Sequence, residues 1–216
     1  MLTSCISSDL DVFKYYHEIN VCVHKQTLRE LNRKVVHILV GSGLFAASYL
    51  LHVSFGFSTM NLFLLLMALG SFLADIIMAK LLIFFPLYKQ LQRRHEKHGI
   101  HHHTLALFSV LVLLQFFETR IIAVSALMLV FGDAAAAVVG KLFGKHKIFH
   151  SKTWEGTTAM LSVSLFAAGI VMGVNMVSIS MAVAATLAEA YSTRISDGIT
   201  IPFAAALAAH VITSVV

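Results

Sequence analysis

Apolar positions in this chain fall in long unbroken runs rather than in alternating or one-faced patterns. Residues 35–53, 59–79, 100–117, 121–140, 157–173, 174–191 and 199–216 form seven such runs. A helix rises 1.5 Å per residue and the hydrocarbon core of a bilayer is about 30 Å thick, so about 20 apolar residues cross it. The pattern predicts an all-α, polytopic membrane protein with about seven transmembrane helices. The third run starts in a histidine cluster. The fifth and sixth are divided by a turn expected near Asn175. Residues 1–34 precede the first run and are mixed in polarity. Val12, Tyr15, Tyr16, Ile19 and Val23 recur there at helical spacing, which suits a helix lying on the membrane surface, or else an unordered tail. The expected division is an arm over 1–34 and one membrane domain over 35–216. The arm has no single apolar core of the signal-peptide kind, so targeting falls to the first crossing.

Composition sharpens this reading. Hydrophobic residues make up 58% of the 216 and charged residues 12%, against about 25% charged in soluble domains. Disorder, coiled coil and a soluble globule are excluded. The formal charge is +5, which in a soluble protein would suggest nucleic acid. Here it reads as topology, and no nucleic-acid partner is expected. With the arm inside and seven crossings, fifteen of the sixteen Lys and Arg lie on one side, and only Arg120 lies on the other. That places the N-terminus in the cytoplasm. Cys5 and Cys22 are too few for a disulfide framework and lack metal spacing.

Carboxylates stand where a bilayer penalises them. A charged side chain at the centre of a crossing helix costs about 2.5–3.5 kcal/mol or more. Asp75, Asp133 and Glu189 sit inside apolar runs, toward the cytoplasmic ends, and Glu155 and Asp197 lie just outside on the same side. Five acids from four regions are expected to converge on one cytoplasm-facing pocket. The competing reading is interfacial residues that snorkel to water. Asp133 fits that reading least, being two turns in from Lys141.

The stretch with the most chemistry runs from Phe131-Gly-Asp to Lys152-Thr-Trp-Glu-Gly156. Gly140, Gly144 and Gly156 permit close backbone approach to phosphate. Lys141, Lys145, Lys147 and Lys152 supply positive charge. Carboxylates hold Mg²⁺, which binds through one or two of them plus substrate phosphates. Together these suit a nucleoside triphosphate at a membrane surface; a positive loop on anionic lipid heads is the alternative. The segment from Gly140 to His146 is one residue short of a Walker A loop and lacks its Ser/Thr, and no protein-kinase motif set appears. Lys34 and His37 lie one turn apart on one helix face, placed to hold a phosphate. His95, His98, His101, His102 and His103 read as interfacial polar residues, with a metal site as the sharper alternative.

The central stretch resembles the CTP-dependent lipid kinases, a family that includes dolichol kinase, phytol kinase and the yeast-type diacylglycerol kinase. Arg33-Lys34-Val-Val-His37 resembles the family's Arg-Lys-x-x-His at the first helix. Ala74-Asp75 followed by Arg94-His-Glu96 resembles its middle region. Glu189-Ala-Tyr-Ser and Asp197-Gly-Ile-Thr-Ile-Pro202 resemble its C-terminal Glu…Asp-Asn…Pro pattern, with Gly198 where that pattern has Asn. The resemblance spans residues 30–205.

It implies phosphoryl transfer from CTP to the hydroxyl of a lipid alcohol, with Mg²⁺ as cofactor. Asp133 would be a metal ligand, together with Glu155 or Asp197. Lys34, His37, Gly132, Lys141, Gly144, Lys145, Lys152 and Gly156 would surround the nucleotide. Asp133 or Glu189 would accept the hydroxyl proton, with Glu155 a further catalytic candidate and Asp75 and Glu96 further pocket candidates. Phosphatidate cytidylyltransferase shares the central block and is the alternative, although its Asp-rich C-terminal signature is missing. A transporter or lipid-binding scaffold is the non-enzymatic alternative. The small size points to a bacterial or archaeal plasma membrane, with the endoplasmic reticulum as the other choice. The acceptor lipid and the oligomeric state are not legible.

Overall fold

The computed structural model describes residues 12–80, 101–148, 152–192 and 196–215, with side chains described except at 12–26, 29 and 78–80. Its elements are α1 (Val12–Phe55), α2 (Phe57–Lys80), α3 (His102–Leu113), α4 (Thr119–Leu127), a π-helical turn (Met128–Gly132), α5 (Asp133–Leu142), α6 (Trp154–Met172), α7 (Met176–Tyr191) and α8 (Asp197–Val215). The π turn joins α4 to α5 as one rod. No strand forms among the described residues beyond a single bridge between Lys147 and Thr153.

Five helical stretches are long and apolar enough to cross a membrane: Glu30–Phe55, Phe57–Ile77, Thr119–Leu142, Trp154–Met172 and Asp197–Val215. The third and sixth runs form the shorter apolar helices α3 and α7. Each is shorter for a local reason. After Leu113 the amides of Gln115 and Phe116 reach carbonyls three residues back, which tightens the last turn and ends the helix. Before α7, Gly173 takes φ 76°, a left-handed conformation that favours glycine. Asn175 then caps the helix: its Oδ1 accepts from the Ser178 amide at 2.8 Å, and the Ser178 hydroxyl accepts from the Asn175 amide at 2.9 Å. The turn expected at Asn175 is thus a capping box. At the other end of the chain, α1 runs unbroken through residue 34, so the arm is helical from Val12 and continuous with the first crossing.

α1 and α2 form a hairpin around Gly56, whose φ of 88° allows a one-residue break. The interior is built from small and flexible side chains. Ala182, Ala185, Ala205, Ala206 and Ala209 are fully buried where α7 meets α8, and Met128, Met160 and Met181 fill the gaps between helices. Large apolar side chains such as Leu39, Leu50, Leu62, Leu73, Phe166, Leu187 and Val211 face outward. An apolar exterior of this extent belongs in lipid.

Asp75, near the end of α2, is buried and satisfies the start of α3. Its Oδ2 accepts from the His101 amide at 3.0 Å and from the Thr104 hydroxyl at 2.8 Å, and its Oδ1 meets His101 Nδ1 at 2.7 Å. A side chain from one helix thereby supplies acceptors that the N-terminus of another requires. Asp75→Leu is expected to lower stability by about 1–3 kcal/mol, because buried donors lose their acceptor. The measurement is thermal unfolding of the purified protein in detergent; an unchanged midpoint refutes the capping role.

Candidate active site

The first polar group is an ion pair between residues 99 positions apart. Lys34 Nζ donates to Asp133 Oδ2 at 2.5 Å, and both side chains are buried. Lys34 comes from α1. Asp133 is the first residue after the π turn, a feature frequent at functional positions. His37 follows Lys34 by one turn, and His102 opens α3. The ligand atoms of His37, His102 and Asp133 all lie within 4.8 Å of one another, and the two imidazole centroids are 5.8 Å apart. His102 Nδ1 is 2.8 Å from the Ser196 hydroxyl and 3.2 Å from the Gly198 amide.

The second group gathers around Lys152, just before α6. Its ammonium bonds Glu189 Oε1 and stands 3.8 Å from Asp197 Oδ2. The Ser192 hydroxyl donates to Asp197 Oδ1. Glu189 Oε2 is buried and has no hydrogen-bond partner. The start of α8 links the groups, because Ser196 touches His102 while Asp197, its neighbour, faces Lys152. Lys34, His37, His102, Asp133, Lys152, Glu189 and Asp197 therefore form one contiguous polar centre drawn from six segments.

Other expected residues stand apart from it. Asp75 is occupied at the α3 terminus. Glu155 is paired with His146 at 2.8 Å, outside the centre. Lys141 is exposed in the last turn of α5, and Lys145 is exposed on the loop that follows it. Glu96 lies outside the described residues, as do His95, His98 and Arg94. The convergence expected of five acids is limited to three: Asp133, Glu189 and Asp197.

The glycines stand at close helix contacts. A Cβ on Gly132 would lie 2.9 Å from Met160 Sδ, and one on Gly156 would lie 2.8 Å from the Ala136 carbonyl oxygen. A Cβ on Gly144 would overlap the Gly140 carbonyl and the Thr153 side chain. These positions let α5 and the loop after it lie directly against α6. Gly198 is similar, since a Cβ there would come within 2.8 Å of the His102 carbonyl oxygen. No room exists at this crossing for the Asn of the resembling pattern.

A crevice of about 790 Å³ opens from the centre between α1, α2, α3 and α4. Lys34, His37 and His102 line one end, and Tyr49, His52 and Thr119 the other. Between them the walls are apolar, including Val40, Leu44, Leu64, Leu107 and Leu129. From Lys34 to His52 the helix rises about 27 Å, close to the thickness of a hydrocarbon core.

Mg²⁺ takes oxygen ligands, commonly one or two carboxylates plus phosphates. Glu189 and Asp197 fit that requirement, because they meet at Lys152 and Glu189 Oε2 is unpartnered. Asp133 does not fit the expected Mg²⁺ role: its neighbours are two imidazoles and a lysine. Sequence reasoning named His102 only as one of five clustered histidines, read as interfacial with a metal site as the alternative, and did not single out Ser196. Three successive histidines point in directions about 100° apart on a helix, and the sequence does not say which one faces inward.

No protein-family model, curated protein or solved structure matches the chain.

Proposed function

We propose that the protein is an integral membrane phosphotransferase that moves the γ-phosphoryl group of CTP to the hydroxyl of a lipid alcohol such as a polyprenol, phytol or diacylglycerol. On this reading seven helices cross the bilayer, with the N-terminus cytoplasmic. One observation carries the reading: an apolar crevice of bilayer length ends on the buried Lys34–Asp133 pair with the half-buried His37 and His102 beside it, and this group adjoins a second charged group at Lys152, Glu189 and Asp197.

The two groups divide the work. The lipid tail lies in the crevice, which brings its hydroxyl to His37, His102 and Asp133. The triphosphate sits toward Lys152, with Glu189 and Asp197 holding Mg²⁺. When bound, that ion offsets phosphate charge. Lys34 and Lys152 add positive charge where the transferring phosphoryl group develops negative charge. The carboxylate–imidazole group takes the hydroxyl proton as the alcohol oxygen attacks the γ-phosphorus. The bond from phosphorus to the bridging β–γ oxygen breaks, and CDP leaves. The walls of the crevice keep water from competing as the nucleophile.

Glu189 and Asp197 lie at one end of their helices, near the end of α7 and at the start of α8, and Asp133 lies nine residues in from the end of the rod that α4 and α5 form. A proton or ion path across the bilayer would need acids along its length, so the arrangement favours the transferase over the transporter.

The expected result with purified protein, Mg²⁺, mixed lipid alcohols and CTP is transfer of γ-phosphate label to lipid. Label from the cytidine ring in lipid would instead establish a cytidylyltransferase. Transfer of neither label, with CTP or ATP as donor, overturns the reading.

A further inference from the structure

We infer that His37, His102 and Asp133 form a binding site for a borderline transition-metal dication of the Zn²⁺ or Co²⁺ class, separate from the Mg²⁺ position at Glu189 and Asp197. Three helices, α1, α3 and α5, each contribute one ligand atom, and all three atoms fall within 4.8 Å of one another. Ligands of one ion at about 2.1 Å stand roughly 3.4 Å apart in a tetrahedral site. Small side-chain rotations close the difference, with no helix displacement required. Two imidazoles and one carboxylate are a donor set for Zn, Fe or Co, whereas Mg²⁺ prefers oxygen alone. Three protein ligands also leave a position open to a water or an alcohol oxygen; with the ion bound, it would be the metal that acidifies an alcohol there, the three side chains then serving as ligands rather than as the proton acceptor.

The second observation is that Nε2 of His37 and Nε2 of His102 are both buried with no hydrogen-bond partner. A buried polar atom without a partner is costly, and few occur in a folded chain. One ion would satisfy both nitrogens. The remaining contacts of His102 suit this use. The Gly198 amide lies 3.2 Å from His102 Nδ1 and 3.3 Å from Ser196 Oγ; metal binding at Nε2 requires the tautomer in which that amide serves the hydroxyl and Nδ1–H is donated to Ser196 Oγ at 2.8 Å. Such an outer partner fixes the tautomer and aims the ring. Lys34 holds Asp133 Oδ2, and the other carboxylate oxygen remains for the metal. The ammonium also competes with the ion for the carboxylate.

Purified protein in detergent, stripped with chelator, is titrated with Co²⁺ and followed by the visible absorption of the bound ion. One equivalent is expected to bind. Zn²⁺ should displace it, whereas Mg²⁺ in 100-fold excess should not. His37→Gln and His102→Gln are each expected to weaken Co²⁺ binding by on the order of 100-fold. Lys34→Met should tighten it, and His103→Gln, whose ring is exposed, should leave it unchanged. Absence of a Co²⁺ spectrum in the unsubstituted protein overturns the site. A spectrum that Mg²⁺ removes, or that survives both histidine substitutions, does the same. Neither nucleotide nor lipid is present, so failure here is separate from failure of the phosphotransfer reading.

Discussion

Asp133→Asn is expected to lower γ-phosphoryl transfer by on the order of 10³-fold, in the range that loss of an acid–base group produces. Two effects act together. The amide cannot take up the hydroxyl proton, and Lys34 loses its counter-charge in a buried setting. Removing one partner of a buried pair costs about 3–5 kcal/mol, mostly because the other charge is stranded. A fall in activity alone would therefore not separate chemistry from folding. The double variant Lys34→Met with Asp133→Leu does separate them. It removes both charges and keeps the site filled, so its thermal midpoint is expected to return near that of the unsubstituted protein. Its transfer activity is expected to remain lost. Recovery of activity in the double variant, or unchanged turnover in Asp133→Asn, would remove Asp133 from the reaction. The measurements are initial rates with γ-labelled CTP and thermal unfolding in the same detergent.

Gly156→Val carries a large expected effect on packing. The first added carbon would stand 2.8 Å from the Ala136 carbonyl oxygen, 3.2 Å from Thr153 Oγ1 and 3.3 Å from Gly140 Cα. Two of those neighbours are backbone and cannot rotate away. Thr153 is itself engaged as the N-cap of α6, accepting from the Gly156 amide at 3.2 Å. Overpacking a tight contact costs about 1–3 kcal/mol and sometimes more, and here the cap is disturbed as well, at about 1 kcal/mol. The expected outcome is a marked fall in monodisperse protein after detergent extraction, measured by size-exclusion chromatography. Retention of full yield and midpoint would mean that α5 and α6 are less closely apposed than described.

Both predictions turn on features that differ in how far the sequence displays them. The apolar runs were legible because crossing a bilayer demands about 20 greasy residues in succession, a strictly local property. Five became helices of crossing length and two became shorter apolar helices, in the expected order. The turn at Asn175 was legible too, since Asn is a strong capping residue. Asp133 drew notice because its position is expensive.

Its partnership with Lys34 was not legible, because nothing local records a contact across 99 positions. Gly132, Gly144 and Gly156 show a second limit. A glycine that admits a phosphate and a glycine that admits a neighbouring helix look alike in a sequence, and only the third dimension shows which object arrives. Asp75 shows a third. A buried carboxylate suggests chemistry, yet this one serves the buried amide and hydroxyl at the start of α3. His102 was noticed only within a run of histidines, and Ser196 not at all, since polar residues near a membrane boundary are ordinary there.

The long helix α1 supplies Lys34 and His37, yet almost no residue of its apolar stretch is fully buried by the rest of the chain, and one face of it is exposed. It forms one side of the crevice like a loosely hung door whose outer face meets acyl chains directly. A greasy molecule could then slip in and out sideways, from within its own leaflet, never dragging its tail through water. Swinging that door outward would also pull Lys34 from Asp133, so the reactive end would fall open whenever the lateral passage did.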